Sequence, residues 1–290
     1  MKTVTEQMIE EHFDNQETIP LYLELESVTD GIMHEKLMHW HNDVEVIHVA
    51  KGAMYCQTNE ETFLLNKGDV CFINKNQVHG LYCKGDTPCE HEALIINLNI
   101  FSHDSELFQV YIKPLLEDAN FSHIRFDKQE GYSKQIADLI HNIQYLRTQK
   151  ELGYELEIVA KMYQIFRCLY QAYSTTDERQ PRPSVNVGVL QDMLSFIYQN
   201  YEDDITLQDI ANSGSVSPST CNRIFNELTK MTPITFLTQY RLEKGAELLR
   251  NSTMSIGEIA LSCGFTQQSY FNRLFLRTYG ITPLKYRKNH

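Results

Sequence analysis

The sequence predicts an α+β protein of two domains, an N-terminal β-barrel with a helical hairpin and an all-α C-terminal domain with two helix-turn-helix units. Three observations support this prediction. The first hundred residues alternate short apolar runs with glycine-containing turns, apolar residues recur at helical spacing from residue 136, and the last third holds an internal repeat. A chain of 290 residues is long enough for two separate cores.

The predicted strands are short and regularly spaced. The first, Val44–Val49, ends in a turn at Lys51 and Gly52, and a second turn covers 66–69. This pattern favours a small barrel or sandwich. The remaining predicted strands are Ala53–Cys56, Thr62–Leu65, Val70–Ile73 and Glu92–Leu98.

Two amphipathic helices follow the strands. Apolar residues recur at helical spacing over 136–146 and again over 156–170, with Gly153 between the two runs. The runs therefore predict a helical hairpin, which packs on the barrel or forms a dimer contact.

A polar segment separates the two halves of the chain. Residues 174–184 contain two prolines and no large apolar side chain, which is typical of a linker. The predicted limits are 1–173 for a ligand-sensing and dimerisation domain, 174–187 for the linker and 188–290 for the helical domain.

The helical domain contains one supersecondary unit twice. Ile205–Ala211 is similar to Met254–Ala260, and Asn222-Arg-Ile-Phe225 is similar to Asn272-Arg-Leu-Phe275. Each copy begins with a capping-box pattern, Thr206-x-x-Asp209 in the first, followed by a turn and a second helix.

Charge is distributed unevenly along the chain. The formal net charge is −12, and residues 1–183 hold 16 Lys and Arg against 29 Asp and Glu. Residues 205–290 hold 10 basic against 5 acidic residues. A basic end on an acidic protein is expected where one domain meets phosphate.

The second helix of each copy leaves a polar face outward. Asn, Gln and Arg dominate this face, and their side chains can form two hydrogen bonds to a base edge. An ordinary solvated face is the alternative for one helix, but two copies with the same Asn-Arg pair favour DNA recognition. The outward residues are Ser219, Asn222, Arg223 and Asn226 in the first copy, and Gln267, Gln268, Ser269, Asn272 and Arg273 in the second.

The run Ile259–Phe275, with Gly280-Ile-Thr-Pro283 and Tyr286-Arg287, resembles the signature of AraC-family transcription regulators. The resemblance is specific over about residues 189–288 and implies two helix-turn-helix units that enter adjacent major grooves of duplex DNA. The first copy departs from it, since Lys230 stands where the second has Gly280. The implied base-contacting residues are Ser219, Asn222, Arg223, Gln268, Ser269, Asn272 and Arg273.

The N-terminal domain resembles a cupin barrel. His39, His41 and Glu45 stand where the first cupin metal motif has its ligands, and His79 where the second has its histidine. On one strand, positions 39, 41 and 45 share a face, whereas His48 lies on the other. Three interpretations stay open for these residues: a small-ligand pocket without metal, which we favour, a divalent metal site, and barrel filling.

The resemblance implies a ligand-modulated transcription regulator, with a sugar as a frequent effector in this family, and not an enzyme. The alternatives are a metal-sensing regulator and a metal-dependent cupin enzyme that uses His39, His41, Glu45 and His79. Expected partners are duplex DNA, a small-molecule effector, RNA polymerase and a second copy of the chain, with no resident cofactor.

The sequence also indicates where the protein works. No apolar run approaches the ~20 residues that span a bilayer, and the start of the chain lacks the apolar core of a signal peptide. Seven scattered cysteines form no CxxC pair. We therefore expect a cytoplasmic protein without membrane contact, whose thiols are reduced and form no disulfide.

Overall fold

The structure, a computed structural model, describes residues 21–28, 36–83, 89–175, 180 and 182–289. The described residues form two compact units, one within residues 1–30 and 40–182 and the other within residues 31–39 and 183–290. The start of the chain and residues 176–179 and 181 of the predicted linker lie outside the described residues. The domain limits drawn from the sequence stay predictions.

The described part of the chain forms nine strands in two sheets. One sheet has five strands in the order β1-β8-β3-β6-β9, and the other has four in the order β2-β7-β4-β5. The strands are β1 (Leu21–Val28), β2 (Lys36–His39), β3 (Val44–Lys51), β4 (Ala53–Thr58), β5 (Glu61–Asn66), β6 (Val70–Ile73), β7 (His79–Cys83), β8 (Cys89–Ile96) and β9 (His123–Phe126).

Strand β3 lies at the centre of the five-stranded sheet and is buried on both faces. It pairs antiparallel with β6 and β8. Val44 and Val46 belong to the core beneath the helices, whereas Ile47 and Val49 belong to a second core with residues of the four-stranded sheet. Because side chains alternate along a strand, odd-numbered residues of β3 face the other sheet and even-numbered residues face the helices.

Helices cover the outer face of the five-stranded sheet. Ile136, Ile140 and Ile143 from one helix and Met162 and Phe166 from the next are buried in the core that includes Val46. A π-helical turn, Phe108–Ile112, leads into the first helix. The helices of this unit are α1 (Lys113–Glu117), α2 (Gly131–Gln149) and α3 (Tyr154–Thr175).

The second unit is helical after the linker. The helices are α4 (Val185–Asn200), α5 (Leu207–Ser213), α6 (Pro218–Thr229), α7 (Pro233–Asn251), α8 (Ile256–Ser262), α9 (Gln268–Tyr279) and α10 (Pro283–Asn289). Phe225 of α6 packs edge-to-face on Phe236 of α7, with ring centroids 5.7 Å apart. Phe271 and Phe275 of α9 are fully buried with Leu242 of α7. Helix α7 therefore contributes to the cores of both copies of the repeat.

The predicted fold class is confirmed, and β3, β4, β5, β6 and β8 match predicted strands. The strand patterns missed four strands, β1, β2, β7 and β9. Three of these have only four or five residues, which is too short for a period of two to stand out.

The expectation that every cysteine is reduced is wrong at Cys89, which is disulfide-bonded. Its partner is not among the side chains that the structure describes. Five cysteines, Cys56, Cys71, Cys168, Cys221 and Cys263, are free and buried. Spacing along the sequence failed to reveal the pair because cross-linking depends on the positions of Cβ atoms in the fold.

Candidate functional site

The first helix-turn-helix unit consists of α5 and α6. Thr206 accepts a hydrogen bond from the Asp209 backbone N–H, while the Asp209 side chain accepts one from the Thr206 backbone N–H, so the predicted capping box forms. Ser217 caps α6 by accepting from the Thr220 backbone N–H, and Pro218 occupies the first turn. These local signals set where both helices start.

The second unit, α8 and α9, repeats this construction. Ser255 and Glu258 form a capping box at the start of α8. Gly264 follows α8 with φ +75°, and a Cβ atom there would lie 2.5 Å from the Tyr201 carbonyl oxygen. The turn of this copy therefore requires glycine for its backbone conformation and for space.

The structure places the seven predicted base-contacting residues, hereafter the DNA-facing set, on α6 and at the start and outer side of α9. Five are exposed and two, Asn222 and Asn272, are half-buried. Their apolar neighbours Cys221, Phe225 and Phe271 are buried, as the periodicity predicts. The exposed members are Ser219, Arg223, Gln268, Ser269 and Arg273.

The equivalent arginines of the two copies have different partners. Arg223 Nη1 lies 2.8 Å from Glu227 Oε2, an exposed ion pair within α6. Arg273 lies over the Tyr270 ring, with its guanidinium carbon 5.3 Å from the ring centroid. Arg273 is therefore held by a cation–π contact that leaves its hydrogen-bond donors available.

The four predicted ligand-binding residues converge in the N-terminal part of the chain. Potential ligand atoms of His39, His41, Glu45 and His79 all lie within 4.8 Å of one another, and all four residues are buried. We call these residues the histidine–glutamate cluster. Glu45 Oε2 lies 3.2 Å from His41 Nε2 and 2.9 Å from His79 Nε2. Glu45 is fully buried on the face of β3 that meets the other sheet.

The local geometry differs from the predicted one. His39 ends β2, residues 40–43 belong to no strand, and β3 begins at Val44. The expectation that one strand presents His39, His41 and Glu45 on one face is therefore wrong. His41 reaches the cluster from the connecting turn, where its Nδ1–H donates to the Asp43 carbonyl oxygen at 3.0 Å.

All three imidazoles of the cluster use Nδ1 in the same way. Nδ1–H donates to the carbonyl oxygen of Leu37 from His39, of Asp43 from His41 and of Gln77 from His79, at 2.8, 3.0 and 2.9 Å. A neutral imidazole that is protonated on Nδ1 has an unprotonated Nε2. The Nε2 atoms of His41 and His79 nevertheless face one carboxyl oxygen of Glu45, so a proton or a bound cation must lie between these atoms.

The cluster fits a divalent metal ion. Histidine ligands of metal sites ordinarily donate their other ring N–H to a carbonyl or carboxylate, as all three do here. Three imidazoles and one carboxylate suit zinc, iron, nickel or manganese. An ion would be held by His39, His41, Glu45 and His79 and could take a further ligand directly.

A buried carboxyl group next to the cluster was not predicted from the sequence. Burial raises the pKa of Asp43 to about 6, although the nearby His41 and a backbone hydrogen bond from Leu98 act in the opposite direction. Asp43 lies between two predicted site residues, which is a weak signal because a turn aspartate is ordinarily solvated.

Two models of protein families match the chain. The model of the AraC-like ligand binding domain matches residues 29–166, and that of a helix-turn-helix domain matches residues 210–289. The chain belongs to the AraC family of transcription regulators. It thus combines a ligand-binding domain with a DNA-binding helix-turn-helix domain.

Relatives of this AraC-family regulator share most of its length. The chain is 29% identical over 254 residues to the uncharacterized HTH-type transcriptional regulator YdeC of Bacillus subtilis (strain 168), which covers 87% of this chain and 86% of YdeC. It is 25% identical to the HTH-type transcriptional activator RhaS of Escherichia coli O1:K1 / APEC, over 84% of this chain and 85% of RhaS.

A solved structure shares the fold of this AraC-family regulator. It is unsaturated fatty acid bound wild-type ToxT from Vibrio cholerae strain SCE256, with a TM-score of 0.52, 13% identity and coverage of 95% of this chain and 97% of ToxT. Among the described helices of this regulator, none has the length and apolar character needed to cross a bilayer.

Two features of the DNA-binding domain of this AraC-family regulator were not predicted from the sequence. Arg277 is exposed one turn after Arg273 on α9, at the position where α6 has Glu227. Tyr270 is 42% exposed beside Arg273. The sequence repeat itself contained the signal, because aligning the two copies places Glu227 opposite Arg277 and reveals that the second copy is the more basic.

Proposed function

We propose that this AraC-family regulator selects its operator through the DNA-facing set and responds to a polar small molecule bound at the histidine–glutamate cluster. The observation that carries the proposal is the convergence of His41 Nε2 and His79 Nε2 on one oxygen of the fully buried Glu45. A carboxylate in such an environment is stabilised only by close hydrogen-bond or charge partners. A ligand with hydroxyl groups can exchange hydrogen bonds with all of these groups.

The chemistry of the cluster favours a polar effector over an apolar one. ToxT is described as bound to an unsaturated fatty acid. The present cluster instead offers imidazole nitrogens and a carboxylate, which pair with the hydroxyl groups of a sugar-like molecule. We therefore propose a sugar or a related polyol as the effector class.

A metal-sensing regulator is the second candidate. The Nδ1–H donations of His39, His41 and His79 to carbonyl oxygens favour it, because they direct each Nε2 as a lone-pair donor. Both candidates use the same four residues and the same DNA chemistry, and they differ only in the effector.

A gel-shift titration of the full chain tests both candidates. The DNA is the region upstream of the chain's own gene, at two salt concentrations, with and without a panel of sugars and with and without Zn²⁺. We expect saturable binding to one fragment that survives excess random DNA and weakens with salt. His41→Ala should abolish the effect of the active compound, while His103→Ala, which removes an exposed histidine, should retain it.

The outcome also separates the candidates. A shift that responds to a sugar without added metal supports the polyol effector, and a response to Zn²⁺ alone supports the metal sensor. An unchanged effector response in His41→Ala would refute the assignment of the cluster. Equal binding to all fragments would instead refute sequence-specific recognition.

We propose further aspects of this function by analogy with the family. RhaS is named a transcriptional activator, which supports activation through contact with RNA polymerase. We also propose a cytoplasmic homodimer without catalytic activity. An enzyme that uses His39, His41, Glu45 and His79 as metal ligands would show metal-dependent turnover that His41→Ala abolishes.

A further inference from the structure

A second group of potential metal ligands lies outside the histidine–glutamate cluster. His48 of β3, Glu92 of β8 and His141 of α2 place one ligand atom each within 4.8 Å of the others. His48 and Glu92 are direct neighbours in the antiparallel pairing of β3 with β8. His48 lies three positions after Glu45 and so faces the helices rather than the other sheet.

One carboxylate oxygen connects the two imidazoles. Glu92 Oε2 lies 2.7 Å from His48 Nδ1 and 3.0 Å from His141 Nε2. The two rings stand edge-to-face with centroids 5.5 Å apart. Nitrogen and oxygen ligands about 2.0–2.2 Å from a zinc ion lie roughly 3.3 Å from each other, so small side-chain movements would admit an ion.

The three residues differ in how far they are buried. The His48 and Glu92 side chains are 10% and 6% exposed, whereas that of His141 is 52% exposed. The site thus has two nearly buried ligands on the sheet and a third at the surface. Solvent can reach an ion past His141 and fill its remaining coordination position.

We propose that His48, Glu92 and His141 form a second divalent metal site that fastens α2 to the five-stranded sheet. Two imidazoles and one carboxylate are ligands of zinc and of neighbouring transition metals. The ion bridges two strands and a helix that are distant in sequence. Since the unfolded chain does not assemble these ligands, binding of the ion stabilises the fold.

Titration of the full chain with zinc tests this site. Calorimetry measures the stoichiometry and affinity of zinc binding, and the melting temperature measures the effect of zinc on stability. His141→Ala removes an exposed ligand from a helix, where alanine is favourable, so the variant folds. It should bind one zinc equivalent fewer than the wild type, or bind it at least tenfold more weakly, and lose part of the zinc-induced rise in melting temperature. His103→Ala, the matched exposed histidine, should bind as the wild type does.

His141→Glu separates metal binding from a plain hydrogen-bonded group. It keeps a metal ligand but places a second carboxylate beside Glu92, so the apo variant should melt at a lower temperature and zinc should restore much of the loss. Equal zinc stoichiometry and affinity in the wild type and His141→Ala, with no zinc rescue of His141→Glu, would overturn the proposal. The proposal is independent of the effector site, which His41→Ala tests separately.

Discussion

At the scale of single residues, environment decides what each side chain can do. Arg223 and Arg273 occupy equivalent positions, yet one pairs with Glu227 and the other lies over Tyr270. His48 and Glu45 lie three residues apart on β3 and belong to different clusters. Residue type gives the available chemistry, and the neighbours select which part of it is used.

Arg273→Ala should relax base preference at one position of the operator. A guanidinium that forms two hydrogen bonds to a guanine contributes about 1–3 kcal/mol of discrimination, so we expect roughly a tenfold or greater loss on the preferred sequence. Selection of bound sequences from a randomised operator measures this effect. Arg167→Ala, which removes an exposed arginine of α3, is the control, and an unchanged preference in Arg273→Ala would contradict the assignment.

His123 makes folding stability sensitive to acid. Burial, together with the positive charge of Arg125, lowers the pKa of His123 to about 4. Glu61 Oε2 lies 3.7 Å away on a half-exposed side chain and does not cancel this decrease in pKa. An unfolded histidine titrates near 6.5, so between about pH 6.5 and 4 the unfolded chain binds more protons than the folded one. The stability that the neutral ring provides is complete above this window and is lost as the pH falls through it.

The measurement compares the free energy of unfolding of the wild type and His123→Gln across this pH range. The wild type should lose up to about 3 kcal/mol more than the variant between pH 7 and 4. The fully buried ring stacks on Phe63, with centroids 4.7 Å apart, so the variant also has a lower stability at pH 7. Parallel pH profiles for the two proteins would show that His123 is not responsible.

At the scale of elements, the two copies of the repeat differ where their second helices end. Lys230 directly follows α6 with φ +58° and Gly280 directly follows α9 with φ +69°, both in the left-handed region. A side chain is strained there, whereas glycine is not. Lys230 offsets part of the strain because its Nζ donates to the Glu227 carbonyl oxygen at 2.8 Å.

Lys230→Gly and Gly280→Ala should change stability in opposite directions. Lys230→Gly removes the left-handed strain but adds the conformational entropy that glycine loses on folding. The net effect should raise the free energy of unfolding by about 0.5–1 kcal/mol. The second introduces strain and should lower it by about 1 kcal/mol. A Cβ at Gly280 meets no heavy atom within 4 Å, so backbone conformation alone is tested. Chemical denaturation measures both, and changes of equal sign would contradict this reasoning.

At the scale of the molecule, the acidic N-terminal half contains the ligand-binding domain and the basic helical end contains the DNA-binding domain. The helical hairpin of the first unit also exposes apolar side chains near its turn, namely Tyr145, Leu152 and Leu156 with exposed fractions of 60%, 108% and 78%. Exposed apolar patches of this kind mark contact surfaces in soluble proteins. They support the proposed homodimer.

Leu156→Glu should therefore shift the protein from dimer to monomer. A charge placed in an apolar contact surface is desolvated without a partner, which weakens association. Light scattering after size-exclusion chromatography at several concentrations measures the mass. Leu261→Glu, which changes an exposed leucine of α8, should leave the mass unchanged, and a dimer that persists in Leu156→Glu would place the contact elsewhere.

Features that depend on neighbouring residues were predictable from the sequence. Both capping boxes, the proline after Ser217 and the apolar positions of α6 and α9 arise from contacts within three or four residues. The internal repeat predicted the two helix-turn-helix units. Together with the charge asymmetry, it predicted that these units bind DNA. A local pattern of capping and apolar residues that occurs twice in one chain is strong evidence for a repeated structural unit.

The way in which the site residues are brought together depends on the tertiary fold. Glu45 meets His79 across 34 positions of sequence, and His48 meets Glu92 across 44. The register of strand pairing sets the contact of His48 with Glu92. Packing of one sheet on the other sets the contact of Glu45 with His79, and packing of α2 on the sheet sets that of His141 with Glu92. The sequence determined which residues could bind a ligand or DNA. The fold decided which of them meet, because register and packing depend on the free energy of the whole core rather than on any local pattern.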